Sequence, residues 1–180
     1  MKMRTIKKIE IEIPKGKDAQ WVNGVLTLVD EKPQDVTERI KTFEDAIQAL
    51  GEDHQYVRAY REWMRIMYAE CEDVTAYLKL RIIATALNEG WEPTFDKDER
   101  RYYVHFYIYS KSEYEKLNDE MKKKCVNIFD ALDYLAYAHA SSPGLYSYTN
   151  FGVQLAFRTR ELAEYCGKQF IDIWADFLFK

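Results

Sequence analysis

A chain of 180 residues with 47% hydrophobic and 31% charged side chains, but only 7 Gly and 4 Pro, is long enough to bury one sizeable core. That composition excludes a disordered tail, a collagen-like repeat and a low-complexity chain. The formal charge of −4 removes the general attraction to polyanions expected of a nucleic-acid or membrane-surface protein, leaving room only for a local basic patch. Cys71, Cys125 and Cys166 are widely spaced with no CxxC pair, so neither a disulfide framework nor a zinc knuckle is written, and a reducing compartment fits. The basic start, Met1 to Lys8, runs into alternating Ile and Glu instead of the apolar run of an export signal. Even the apolar stretch around Ile82 and Ile83 is broken by Lys79, Arg81 and Glu89, so no membrane span and no membrane partner are expected.

In chain order, Ile9, Ile11 and Ile13 alternate with charged residues, the period of a strand with one dry face, and Pro14 ends it. Asn23-Gly24 then suits a tight turn between Gln20-Trp21-Val22 and the run from Val25 to Val29, so residues 3–29 read as a small β element. The spacing of Val36, Ile40, Phe43, Ile47 and Leu50 predicts one helix over 36–50, capped by Asp35 with Glu38 three residues on and closed by Gly51. Two more stripes follow: Val57, Tyr60, Met64 and Met67 after a cap at Asp53, and Tyr77, Leu80, Ala84 and Leu87 after Asp73. Asn88-Glu89-Gly90 stops the last of these, and Trp91-Glu92-Pro93 opens an irregular link.

Residues 102–109 have the composition and period of a strand, with Val104, Phe106 and Ile108 on one face and Tyr103, His105, Tyr107 and Tyr109 on the other. From Ser110 the charge density rises to Lys122-Lys123-Lys124, a solvated short helix and loop that demands no ligand. Residues 128–137 fit a helix, although Leu135, Tyr137 and His139 also alternate with alanines; the assignment is to helix. After Ser141-Ser142-Pro143-Gly144, the period-two series Phe151, Val153, Leu155 and Phe157 suggests a last strand. One final helix from about Thr159 carries Leu162, Cys166, Phe170, Ile173 and Phe177, with an apolar arc wide enough to be buried on most sides. Gly167 costs that helix about 1 kcal/mol against Ala and is best explained by another element approaching closely.

Four phrases carry a family likeness: Asp35 to Ala46, Ala76 to Ile83, Ala86 to Trp91, and Leu155 to Phe170. They resemble a family of short proteins, with no known activity, encoded by gut Bacteroidetes and their phages, and Ile11 to Gly16 is similar to the β module that often precedes them. The resemblance implies context and supplies no catalytic residues to carry over: an accessory product of a phage or mobile element, cytoplasmic in its bacterial host or associated with the virion. Residues 122–150 match least, because relatives show a small-residue, glycine-rich segment there.

Among chemistry-bearing residues, Arg100, Arg101, Tyr103, His105, Tyr107 and Tyr109 could stack bases and hold phosphates as single-strand binders do. Against that stand Asp96, Asp98 and Glu99, and the simpler arrangement in which a helix covers the tyrosine face. Tyr134, Tyr137, Tyr146, Tyr148 and Phe151, interleaved with Ser141, Ser142, Ser147, Thr149 and Asn150, have the make-up of a protein-binding surface. The rival is a loop that folds back to fill its own core. His54, His105 and His139 lack metal-ligand spacing, Cys166 reads as a packed core thiol, and Glu70, Glu72 and Asp73 are explained by helix capping. Gly16, Gly24, Gly51 and Gly90 form no phosphate-cradling loop, so no cofactor is implied.

The expectation is therefore an α+β single domain over 1–180: an N-terminal β element, residues 1–30, packed on the remainder, a three-helix group, a later small β unit and a buried C-terminal helix. Its function reads as protein–protein contact with a partner or with a second copy of itself. Single-stranded nucleic-acid binding through 100–109 is the alternative. The balance is against an enzyme, save for a site assembled only in three dimensions.

Overall fold

A computed structural model describes residues 11–22, 24–30, 35–66, 71–94, 99–128, 133–141 and 153–180. The architecture is α+β, with an N-terminal two-stranded sheet, a cluster of helices, a small later sheet and C-terminal helices. The chain divides into two units, Met1–Gln34 and Asp35–Lys180.

In the first unit, β1 (Lys17–Val22) and β2 (Val25–Asp30) form an antiparallel hairpin with Trp21 opposite Leu26 and Val22 opposite Val25. Gly24, at φ +79°, supplies the left-handed backbone such a turn needs; Asn23 lies outside the described residues. The strand expected around 9–13 does not form at Ile11 or Ile13, which are exposed, and Ile9 lies outside the described residues. Alternation gives a segment two faces, but a strand also needs a ladder partner, and Ile11 and Ile13 pair with neither β1 nor β2.

The second unit corrects the single helix expected over 36–50. It is two helices, α1 (Val36–Arg39) and α2 (Phe43–Leu50), separated by an extended Ile40 at φ −115° and ψ 91°. Asp35 caps α1 by accepting from the Thr37 N–H at 2.8 Å. The reciprocal capping box belongs to α2: Thr42 accepts from the Asp45 N–H at 3.1 Å and Asp45 from the Thr42 N–H at 2.9 Å. The carbonyls freed at the break are taken by the last helices, with the Tyr165 hydroxyl donating to Ile40 O at 2.7 Å and the Gln169 amide to Lys41 O at 2.8 Å. Gly51, at φ +85°, closes α2 as expected.

Helix α3 (Gln55–Ile66) buries Val57 and Tyr60 but leaves Met64 exposed; Met67 lies outside the described residues. The His54 ring, not Asp53, accepts the Tyr56 N–H, at 3.3 Å. Helix α4 (Glu72–Leu87) begins at Cys71 without a side-chain cap, so Asp73 sits inside its first turn and Glu72 instead pairs with Lys180 at 2.6 Å. Leu80, Ile82, Ile83 and Leu87 are all buried, and a helix apolar on several faces belongs at the centre of the packing. It meets α2, α3 and the last helix, with Tyr77 against Phe177 at 5.9 Å between ring centroids.

The α4 terminus holds two polar anchors. Asn88 is buried, donating its amide to Ala156 O at 2.9 Å and accepting the Arg158 N–H at 3.0 Å. Glu89, left-handed at φ 50°, receives Arg39 and, at 2.6 Å, Arg158; these guanidiniums, Arg158 above all, hold its carboxyl below the usual range. Asn88→Ala leaves one buried and one partly buried backbone group without the amide, and urea unfolding is expected to show a loss of about 1–3 kcal/mol. A change within experimental error would mean that water replaces the amide.

Strand β3 (Tyr103–Ser110) appears where expected, but its faces do not. Tyr103 and Val104 are both buried while Tyr107 and Ile108 are both exposed, at 54% and 57%. Burial changes along the strand, not across it, because its first half runs against Phe157 and the last helices, and the β3–β5 register shifts between His105 and Phe106. Two short helices follow, α5 (Lys111–Glu115) and α6 (Asp119–Lys122). The helix expected over 128–137 is corrected to β structure at 128 and 133–137, with 129–132 outside the described residues: β4 (Cys125–Ile128) and β5 (Asp133–Ser141) complete an antiparallel sheet in the order β3-β5-β4. Alanine and leucine favour helix locally, but the slot between two strands overrides that preference.

The last expected strand is a 3-10 turn, Val153–Leu155, with one bridge between Tyr102 and Phe157. The single closing helix is likewise two, α7 (Arg160–Gln169), capped by Thr159, and α8 (Ile171–Phe179), divided at a non-helical Phe170. α7 buries Leu162, Ala163, Cys166 and Gly167, and α8 buries Trp174 and Ala175. The arc too wide for one helix is the sum of two narrower ones.

Candidate functional site

The residues singled out in the sequence fall into different environments. Tyr103 is 3% exposed, and burial raises the pKa of its phenol, so it presents no stacking face. Arg100 is exposed, Arg101, His105 and Tyr109 are half-buried, and Tyr107 is exposed. Tyr134 stacks on Tyr114 with centroids 3.6 Å apart and rings 5° from parallel, which occupies one of its faces. Tyr146, Tyr148 and Phe151 lie outside the described residues. His105 and His139, distant in sequence, are register partners across β3 and β5. Among the described residues no group of three or more His, Cys, Asp or Glu is placed to hold a metal, and no helix is long and apolar enough to cross a membrane.

Tyr107 from one predicted set and Tyr137 from the other line the same groove, a cavity of about 690 Å³. β3 brings Tyr107, β4 brings Cys125 and Val126, β5 brings Ala136 and Tyr137, and α7 and α8 bring Lys168 and Ile171. The turn after α6 adds Lys123 and Lys124. Among the described residues no carboxylate lines the groove.

The three lysines differ. Lys123 and Lys124 are exposed and make no ion pair among the described residues. Lys168 is already engaged, 3.3 Å from Glu164 and with its ammonium 4.9 Å from the centroid of the Tyr137 ring. The neighbouring Lys122 turns away to donate to Glu115 O at 3.1 Å. So the groove offers two uncommitted cations, a third shared one, and an exposed tyrosine ring. The run 122–124, which reads as a solvated loop, acquires a concave setting only because β4 turns back beside it; its partner Lys168 is placed there by α7.

Burial raises the Cys125 thiol, which donates to Met121 O at 3.3 Å, so it is held protonated and is a poor nucleophile. Burial pushes Tyr137 up to about 12, with the Glu164 charge adding to the shift and Arg160 opposing it. Among the described residues its hydroxyl finds no well-formed hydrogen-bond partner, the Ala140 backbone giving the smallest downward pull. Cys166 is wholly buried, and its thiol is pushed up to about 12 despite the Trp174 indole. What the groove can do is bind: charge from lysine, contact area from tyrosine, and apolar floor from Val126, Ala136 and Ile171. No family model, curated protein or solved structure matches this chain.

Proposed function

We propose that this is a binding protein that acts by protein–protein contact, seating an acidic, extended segment of its partner in the groove between the β3-β5-β4 sheet and α7–α8. The observation that carries the reading is the positive charge of Lys123 and Lys124 beside an exposed Tyr107, in a concavity whose described lining holds no carboxylate. A role as an accessory protein of a phage or mobile element rests on the sequence resemblance alone. Single-stranded nucleic acid is supported less, because such binders stack successive bases on successive open rings. Here Tyr103 is buried and Tyr134 has one face covered, which leaves Tyr107 as the exposed tyrosine platform among the described residues.

The test is fluorescence anisotropy with a labelled glutamate-rich peptide containing tyrosine, set beside a labelled oligothymidylate of similar length. Saturable peptide binding is expected, weakening as salt rises through the screening range and falling about tenfold or more in a Lys123→Glu/Lys124→Glu double variant. Tighter oligothymidylate binding, lost in the same variant, would overturn the protein reading in favour of nucleic acid. Peptide binding that ignores both salt and the double substitution would remove the groove from consideration.

A further inference from the structure

A second concavity, of about 240 Å³, lies at the C-terminal half of α4 and shares no lining residue with the groove. Its wall includes His54, Tyr56, Arg81, Trp91, Glu92 and Gln154. Arg81 is the unusual member. It is half-buried, its guanidinium lies 4.0 Å from the centroid of the Tyr56 ring, and no carboxylate pairs with it among the described residues. Other arginines are committed: Arg39 and Arg158 to Glu89, Arg61 to Glu52, Arg65 to Glu62. Among the described residues this half-buried cation meets the ring and no anion, and its in-plane N–H fork suits a planar two-oxygen acceptor.

The surrounding residues narrow the ligand. His54 Nδ1 accepts the Tyr56 N–H, which leaves the proton of the neutral ring on Nε2 as a further donor. Gln154 adds an exposed amide, whereas the Asn88 amide in the same wall is already spent on Ala156 and Arg158. Trp91 and Tyr56 provide flat apolar surface. Glu92, on the same wall, works against a second negative charge on the ligand. The volume falls below the roughly 300 Å³ at which drug-sized sites begin, so the occupant is small. We propose that this pocket binds a small monocarboxylate with a flat apolar body, the carboxylate held by the Arg81 fork and the body against Trp91.

Benzoate titrated into the isotope-labelled full chain, followed by NMR, tests the site, with inorganic phosphate as the competing anion. Saturable shifts are expected at Arg81, His54 and the Trp91 indole, with a Kd of about 1 mM, as befits a fragment-sized ligand. Arg81→Lys retains the charge without the planar fork, and about tenfold weaker binding is expected with the rest of the spectrum unchanged. Trp91→Ala, which leaves Arg81 in place, is expected to weaken benzoate about threefold or more through lost apolar contact. Arg81→Lys binding benzoate as well as the native chain would overturn the proposal. So would phosphate binding more tightly than benzoate, or shifts that rise linearly without saturating. Because Lys123 and Lys124 lie in the other cavity, their substitution is expected to leave benzoate binding unchanged, so the two sites fail or stand separately.

Discussion

Gly167→Val is expected to lower stability by about 3 kcal/mol or more, beyond the usual range for overpacking, although it removes a glycine from the interior of a helix. Glycine inside α7 costs about 1 kcal/mol of helix propensity, so alanine would be the better helix former if space allowed it. Space does not: a Cβ at position 167 would stand 2.4 Å from Val104 Cγ1 and 2.7 Å from Tyr137 Cδ2. Those two side chains belong to β3 and β5, so the missing methyl is what lets α7 lie directly on the sheet. The steric term outweighs the propensity gain even for Gly167→Ala, for which a net loss of about 1–2 kcal/mol is expected in urea unfolding. Combining Gly167→Ala with Val104→Ala should recover part of the loss, with a coupling of about 0.5–3 kcal/mol in a double-mutant cycle. A more stable Gly167→Ala would show that α7 is not seated where its contacts place it. The same substitution bears on the groove, since Tyr137 lines it and Lys168 follows Gly167.

Trp174→Ala has the second large effect, about 3–5 kcal/mol of the 5–15 kcal/mol that domains of this size possess. The indole is fully buried in α8, 5.4 Å from the Phe106 ring in β3 and 6.1 Å from Phe177, so its loss opens a cavity where sheet and helices meet. Of the other tryptophans, Trp21 is exposed and Trp63 and Trp91 are half-buried. The variant should therefore lose the blue-shifted part of the tryptophan emission together with its stability. A loss under about 1 kcal/mol, against the range for deleting a buried aromatic ring, would contradict the packing of α8 on the sheet.

Both effects turn on the same kind of residue, one whose importance shows in the chain as an oddity without a stated cause. Gly167 stands out as a glycine in an apolar helix, and close approach is the right explanation, but the sequence names neither Val104 nor Tyr137 as the approaching side chains. The C-terminal apolar arc correctly marks buried helix, yet its width comes from a change of helix at Phe170. The α1–α2 break had a local sign in Thr42 and Asp45, which suit a helix start as well as a helix interior. The apolar stripe masks it because Ile40 remains buried in an extended conformation. The groove was legible only in fragments: Tyr107, Tyr137 and the lysine run are visible separately, and they meet because residues 125–128 and 133–141 are strands.

The sequence by itself determined the α+β class, the Gly24 hairpin turn, the C-terminal ends of α2 and α4, and a strand over 102–109, since each rests on short-range periodicity or on backbone conformations that few residues adopt. Tertiary structure alone decided that 125–128 and 133–141 pair as strands, that the two long apolar stripes break, and which of the described tyrosines are open. Those outcomes depend on partners tens of residues away. A ladder, a carbonyl taken by Tyr165 or a helix lying on Gly167 outweighs the fraction of a kcal/mol by which a local preference differs from its competitor.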